Sequence, residues 1–226
     1  MTIQFLGQNC FLFTYKGKTI ISDPFYNFQK DQSGFDISAQ TIDYILITHA
    51  HEDHTADVKE VLKHHPNATV IAQPEICGYY GHENNIDINF GGSTDIKGLK
   101  ISMVPALHTS SFPDGAYGGE PAGYIFNFDD KTIYFAGDTG VMHDMSLFPK
   151  IYGKIDLSIL PIGSHYTMCP DKASFAAAEL LECPKVIGCH FDTFPPISID
   201  HDKAQQAFNN RNIELILLKL GESFEV

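Results

Sequence analysis

Between residues 48 and 54 the chain runs Thr-His-Ala-His-Glu-Asp-His, so three imidazoles and a carboxylate, His49, His51, Asp53 and His54, fall within six residues. Imidazole nitrogen and carboxylate oxygen are borderline-to-hard ligands that suit zinc, manganese or iron, and no thiol pattern lies close by to complete a closed structural zinc site. The cluster is too crowded for one metal. If His49 and His51 alternate along an extended segment they face one ion together, while Asp53 and His54, past a bend into a helix, face a second. These are two half-shells, and the remaining ligands must come from elsewhere.

Three residues qualify because each closes an apolar run. His108 follows Ile101–Leu107, Asp138 follows Ile133–Gly137, and His190 follows Val186–Cys189. Taken singly, each has an ordinary reading as a loop histidine, a turn or helix-cap aspartate, or a core histidine. Their shared context, together with the cluster, points to a shared site. Two ions about 3.5–4 Å apart would lower the pKa of a bridging water and present hydroxide to a carbonyl or phosphorus centre. Asp53 or Asp138 would orient that water. The second ion would stabilise the oxyanion or leaving group, so no serine or cysteine nucleophile is needed. Cys189 adjoins His190, but neighbouring side chains on a strand point to opposite faces, which sends the thiol into the core.

The elements that must position these groups are legible in outline. Short apolar runs at 2–6, 10–15 and 18–22, separated by Gly7 and by Lys16-Gly17-Lys18, predict a strand meander that ends at Asp23-Pro24. Tyr44–Thr48 predicts a buried strand leading directly into the cluster. A helix is predicted over 55–65, stopped by Pro66. Further strands are predicted near 69–72, 85–90, 99–104, 122–128 and 131–136, with a hairpin turn at 129–131. The last third predicts strand 156–160, helix 170–182, strand 186–189, helix 201–210 and strand 214–218. Both halves pass from strand-rich stretches to strand and helix alternation, which suggests a duplicated two-sheet sandwich with outer helices, without a clear sequence repeat. No Pro/Ser-rich linker interrupts 226 residues, so a single domain over 1–226 is expected.

Composition narrows the function. With 43% apolar and 19% charged residues the chain has material for a sizeable core. A net charge of −13 disfavours nucleic acid and anionic lipid as partners. Two divalent ions would return four positive charges at the site itself, which keeps a small anionic substrate compatible. The N-terminus lacks a basic leader, and no stretch has the length of a membrane span. Five cysteines without a C-x-x-C pair suit a reducing compartment. A cytoplasmic protein without a membrane anchor is expected, and homo-oligomerisation is left open.

In order, H-x-H-x-D-H, a histidine, an aspartate and a final histidine form a pattern that resembles the metallo-β-lactamase superfamily. The resemblance implies an α/β, four-layer αββα sandwich. It implies that His49, His51 and His108 bind one divalent ion, that Asp53, His54 and His190 bind the other, and that Asp138 bridges both, with zinc the first expectation and manganese the second. It also implies that Asp23 supports the ligands from behind. Pro161-Ile162-Gly163 through Tyr166-Thr167-Met168, and His190 through Pro196, are similar to the bacterial metal-dependent hydrolases related to ascorbate-6-phosphate lactonase and to the N-acyl phosphatidylethanolamine phospholipase. That group often has Gly-Asp after Pro-Ile-Gly, where this chain has Ser164-His165. His165 and Tyr166, in a loop after a strand, are candidate substrate contacts.

The leading expectation is hydrolysis of a small ester, lactone or phosphodiester. Three alternatives compete with it. Phospholipid or nucleic-acid phosphodiesterase activity uses the same ligands, though the acidic balance counts against nucleic acid. Di-iron oxidoreductases of this superfamily typically carry Glu where His51 stands and need a flavin partner domain. A non-catalytic metal-binding protein would be marked by loss of a ligand. Elsewhere, His64 and His65 are expected to interact with a helix C-terminal dipole, and His82, His143 and His201 carry no pattern. The glycine-rich segment 109–120 is expected to form a mobile loop flanking His108.

Overall fold

In the computed structural model, which describes residues 1–226, fourteen strands build two seven-stranded sheets that repeat one pattern. The first sheet contains β1 (Thr2–Gly7), β2 (Cys10–Tyr15), β3 (Lys18–Ser22), β4 (Tyr44–Leu46), β5 (Thr69–Ala72), β6 (Asn85–Asp87) and, from the C-terminus, β14 (Ser223–Glu225). The second contains β7 (Ser93–Ile96), β8 (Leu99–Pro105), β9 (Ala122–Phe128), β10 (Lys131–Phe135), β11 (Leu157–Pro161), β12 (Lys185–Cys189) and β13 (Glu214–Ile216). Their orders are β14-β1-β2-β3-β4-β5-β6 and β7-β8-β9-β10-β11-β12-β13. In each, three antiparallel pairings are followed by three parallel ones. The expected duplication is therefore real at the level of topology, although the sequence carries no repeat.

Contacts divide the chain into two compact units. One comprises residues 1–89, 109–120 and 218–226, and the other residues 90–108 and 121–217. Parallel neighbours require crossovers, which here carry the helices. The first unit has α1 (Lys30–Ser33), α2 (Glu52–Thr55), α3 (Val58–His64) and α4 (Pro74–Tyr80); the second has α5 (Phe148–Tyr152), α6 (Pro170–Phe175) and α7 (His201–Asn209). In the first, Val58 and Val61 of α3 and Ile76 of α4 pack with Leu12, Ile45 and Val70 of the sheet. In the second, Phe148, Ala173 and Phe208 pack with Tyr134, Leu160 and Val186. Each large apolar side chain so buried contributes about 1.5–3 kcal/mol. The alternate residues Phe11, Phe13, Ile20, Ile133, Phe135 and Ile187 are buried as well, so both faces of each sheet are covered and the strands are continuously apolar.

Several predicted boundaries move. The helix expected over 55–65 starts at Glu52 and breaks before Val58, where Asp57 turns its carboxylate to the backbone N–H and side-chain amide of Asn27 at 2.8 and 3.0 Å. The helix expected over 170–182 is α-helical only to Phe175 and then widens, with Leu181 N donating to Ala176 O, five residues back, at 2.9 Å. The strand expected to reach residue 90 stops at Asp87. Helix α4 and strands β7 and β14 had no counterpart among the predicted elements. No helix is long and apolar enough to cross a membrane.

Matching strands of the two sheets deliver polar residues at matching ends. Asp23 follows β3 as Asp138 follows β10, and Gln8 follows β1 as His108 follows β8. The C-terminal ends of parallel strands are the usual place for a site in α/β sheets.

Candidate metal centre

In the first unit the ligand turn hangs on Asp23. This residue leaves β3 with φ of +37°, a left-handed conformation that is costly for a residue with a Cβ, and its N–H donates to Leu46 O at 2.9 Å. The carboxylate is fully buried. Its Oδ1 accepts from Thr48 N at 2.8 Å, and its Oδ2 accepts from Thr48 Oγ1 at 2.7 Å and from His54 Nδ1 at 2.8 Å. Burial pushes the Asp23 carboxyl up, while the His54 imidazole and the Thr48 hydrogen bonds pull it back.

This network assigns tautomers. With His54 Nδ1–H committed to Asp23, His54 Nε2 carries the lone pair, and it lies 3.5 Å from Asp53 Oδ2. Thr48 Oγ1 gives its proton to Asp23 and so accepts from His49 Nδ1, 3.1 Å away, which leaves the lone pair on His49 Nε2. That nitrogen is 3.0 Å from His51 Nδ1, and the other ring nitrogen of His51 lies 3.3 Å from Thr109 Oγ1. Two donors each 2.0–2.1 Å from one tetrahedral zinc are separated by about 3.3 Å. The spacings of 3.0 and 3.5 Å bracket that value, so the donor set fits a metal.

In the second unit the centre is Asp138. Its Oδ2 lies 3.0 Å from His190 Nε2 and 3.5 Å from His108 Nε2, again the spacing of ligands sharing an ion. Asp138 and His190 are both buried. Thr139 ties the ends of β8 and β10 together: its Oγ1 accepts from Leu107 N at 3.0 Å and donates to Gly140 O at 2.8 Å, while Gly140 N donates to Leu107 O at 3.0 Å. Past His190, Asp192 accepts from Ile199 N at 2.9 Å and pairs with His201 Nε2 at 2.6 Å, pinning the loop that begins with the ligand.

His190 adopts φ of +54°, and its backbone is pressed against Gly163 at the end of β11. A Cβ at Gly163 would lie 2.0 Å from His190 O, so only glycine fits. Gly163→Ala is expected to displace His190, lowering thermal stability by the equivalent of about 1–3 kcal/mol, the usual range for overpacking, and lowering metal content. Calorimetry and elemental analysis of the variant check this; an unchanged melting temperature with full metal content would contradict it.

The seven ligand candidates thus gather within their own units, His49, His51, Asp53 and His54 in the first and His108, Asp138 and His190 in the second. Cys189 is buried in the core. His165 and Tyr166 lie in the tight turn after Gly163, with exposed side chains whose rings pack edge to face at 4.6 Å. The loop 109–120 is docked rather than loosely held: Phe112 is buried and stacks on Tyr79 at 3.6 Å, and Ser110 Oγ accepts from Ala50 N and donates to Gly118 O. The sequence offered three glycines there, whereas the anchor is an aromatic. His65 sits just past the end of α3 and its Nε2 bonds Ile37 O at 3.0 Å, a tertiary contact beside any dipole effect. Sequence reasoning passed over Gln8, Thr48, Thr139 and Gly163. For Gln8 a signal existed, since it is a polar residue at the end of an apolar strand, the context that singled out Asp138.

Comparison with known proteins agrees with these features. Residues 2–190 match the β-lactamase superfamily domain. A metal-dependent hydrolase of Flavobacterium johnsoniae is 42% identical over 228 residues, covering 100% of both chains. Another, from the archaeon Pyrococcus horikoshii, is 39% identical over 229 residues and 99% of each chain. Among solved structures, a metallo hydrolase from Ignicoccus hospitalis superposes with a TM-score of 0.86 at 30% identity, covering 100% of both chains.

Proposed function

The chain belongs to the β-lactamase superfamily, in its group of metal-dependent hydrolases with the metallo-β-lactamase fold, and on that premise we propose that it hydrolyses a small ester, lactone or phosphodiester at a two-metal site. One ion is assigned to His49, His51 and His108, and the other to Asp53, His54 and His190, with Asp138 shared; these residues fall into two groups of donors suited to hold an ion, Asp138 being in the second. Zinc is the first assignment and manganese the second, since nitrogen and carboxylate donors admit both. The observation that carries the reading is Asp138 Oδ2, set 3.0 and 3.5 Å from two imidazole nitrogens delivered by the ends of two other strands.

Bound ions would supply Lewis acidity and a water of lowered pKa. The protein's part is placement. Asp23 and Thr48 hold His49 and His54 in the tautomers whose Nε2 faces the donor set. Asp53 and Asp138 orient the attacking water and take up its proton, and no side-chain nucleophile is required. Exposed His165 and Tyr166 are assigned to substrate contact, and the acidic surface selects a small substrate over nucleic acid. The five cysteines, with no C-x-x-C pair, support a cytoplasmic setting.

Metal-reconstituted protein assayed on lactones, phosphodiesters, thioesters and β-lactams is expected to turn over a lactone, ester or phosphodiester in a reaction stopped by a chelator and restored by zinc or manganese. Activity that survives complete metal removal, or metal-loaded protein inert on every class, would contradict the reading.

A further inference from the structure

We infer that Gln8 is a positioning residue for Asp53, an inference that rests on Asp53 being a metal ligand. Gln8 follows β1 and is fully buried. Its Nε2 donates to Asp53 Oδ2 at 2.7 Å. That oxygen is also the one 3.5 Å from His54 Nε2, the spacing of two ligands on one ion. The amide therefore holds the oxygen that faces the ligand set and stops the carboxylate from turning about its Cβ–Cγ bond.

Two further features mark the position as more than packing. Gln8 has φ of +52°, a conformation costly for a residue with a Cβ. Its Oε1 is buried and takes no hydrogen bond from the protein, so the side chain gives up one acceptor in order to donate to Asp53. Strain and an unsatisfied acceptor at one residue are what folding alone would remove. The residue type also suits the task. A lysine would neutralise Asp53 and repel the cation, and a glutamate would face it with a like charge, whereas an amide donates without altering the charge of the site. Position within the fold agrees, because Gln8 ends β1 where the matching strand of the second sheet leads to His108.

The test is Gln8→Met, which keeps length and volume but removes the donor and the orphaned acceptor, with Gln8→Ala as a second variant. Zinc and cobalt affinities are measured by competition with a chromophoric chelator, the visible spectrum of the cobalt-loaded protein is recorded, and the metal-free melting temperature is taken alongside. The expected result for the Met variant is weakening of one of the two ions by about 10- to 100-fold, the usual cost of losing a partner behind a metal ligand. The cobalt spectrum is expected to change and the metal-free melting temperature to stay within a few degrees. Unchanged affinity and spectrum would overturn the inference, as would a large fall in melting temperature with affinity intact, which would make Gln8 structural. If wild-type protein itself binds no metal, the two-metal reading fails instead, and the two failures are thereby distinguished.

Discussion

Asp138→Ala is expected to abolish hydrolysis and loosen both ions while the metal-free protein stays folded. The carboxylate oxygen that lies beside His190 Nε2 and His108 Nε2 is the only anionic donor close to either in its unit. Its removal takes one ligand from each ion and one negative charge from between two cations. Partners one shell further out typically cost 10- to 100-fold in affinity or activity, so a shared ligand should exceed about 100-fold in both. The metal-free fold should tolerate the change, because an uncompensated buried carboxylate carries a desolvation penalty that alanine relieves. Activity, metal content and melting temperature of the variant check the three parts separately. Retention of two tightly held ions would contradict the shared-ligand assignment.

Asp23→Asn is expected to fold, yet to lose metal through a tautomer switch. Asn is isosteric with Asp, and its Oδ1 still accepts from Thr48 N. The group facing His54 Nδ1 becomes an NH2 that donates where the carboxylate accepted. His54 must then place its proton on Nε2, the nitrogen aimed at Asp53, and the lone pair needed for a metal is gone. A loss of about 10- to 100-fold in affinity for the ion held by His54 follows. The Nδ1 and Nε2 nitrogen resonances of His54 in the metal-free protein should exchange roles between wild type and variant. An unchanged tautomer with wild-type affinity would remove Asp23 from the account.

The ligand set was legible in the sequence because metal donors are few in type and were found where strands end. Their order along the chain, His49 to His190, survived translation into geometry since matching strands of two sheets deliver them. What supports them was less legible. Thr48 and Thr139 act through single hydroxyls that bind backbone or ligand, a role no spacing announces. Gly163 is required only because the His190 carbonyl happens to approach it. Helix α4 escaped notice because Pro74–Tyr80 is short and contains Gly78, so apolar periodicity never establishes itself. Strands β7 and β14 lie at sheet edges with mostly exposed side chains and lack the apolar signature of the central strands. The docking of loop 109–120 depended on Phe112 finding a hydrophobic cluster built by residues distant in sequence. Local pattern therefore revealed the chemistry, and tertiary contact supplied its alignment.

The central claim is a two-metal centre, and metal counting tests it most directly. Protein purified with zinc or manganese supplied, then freed of loosely bound ions, should carry two equivalents per chain by elemental analysis, and a chelator should remove both together with the hydrolytic activity. A preparation that holds no transition metal, or that saturates at a single equivalent with full activity, would contradict the account.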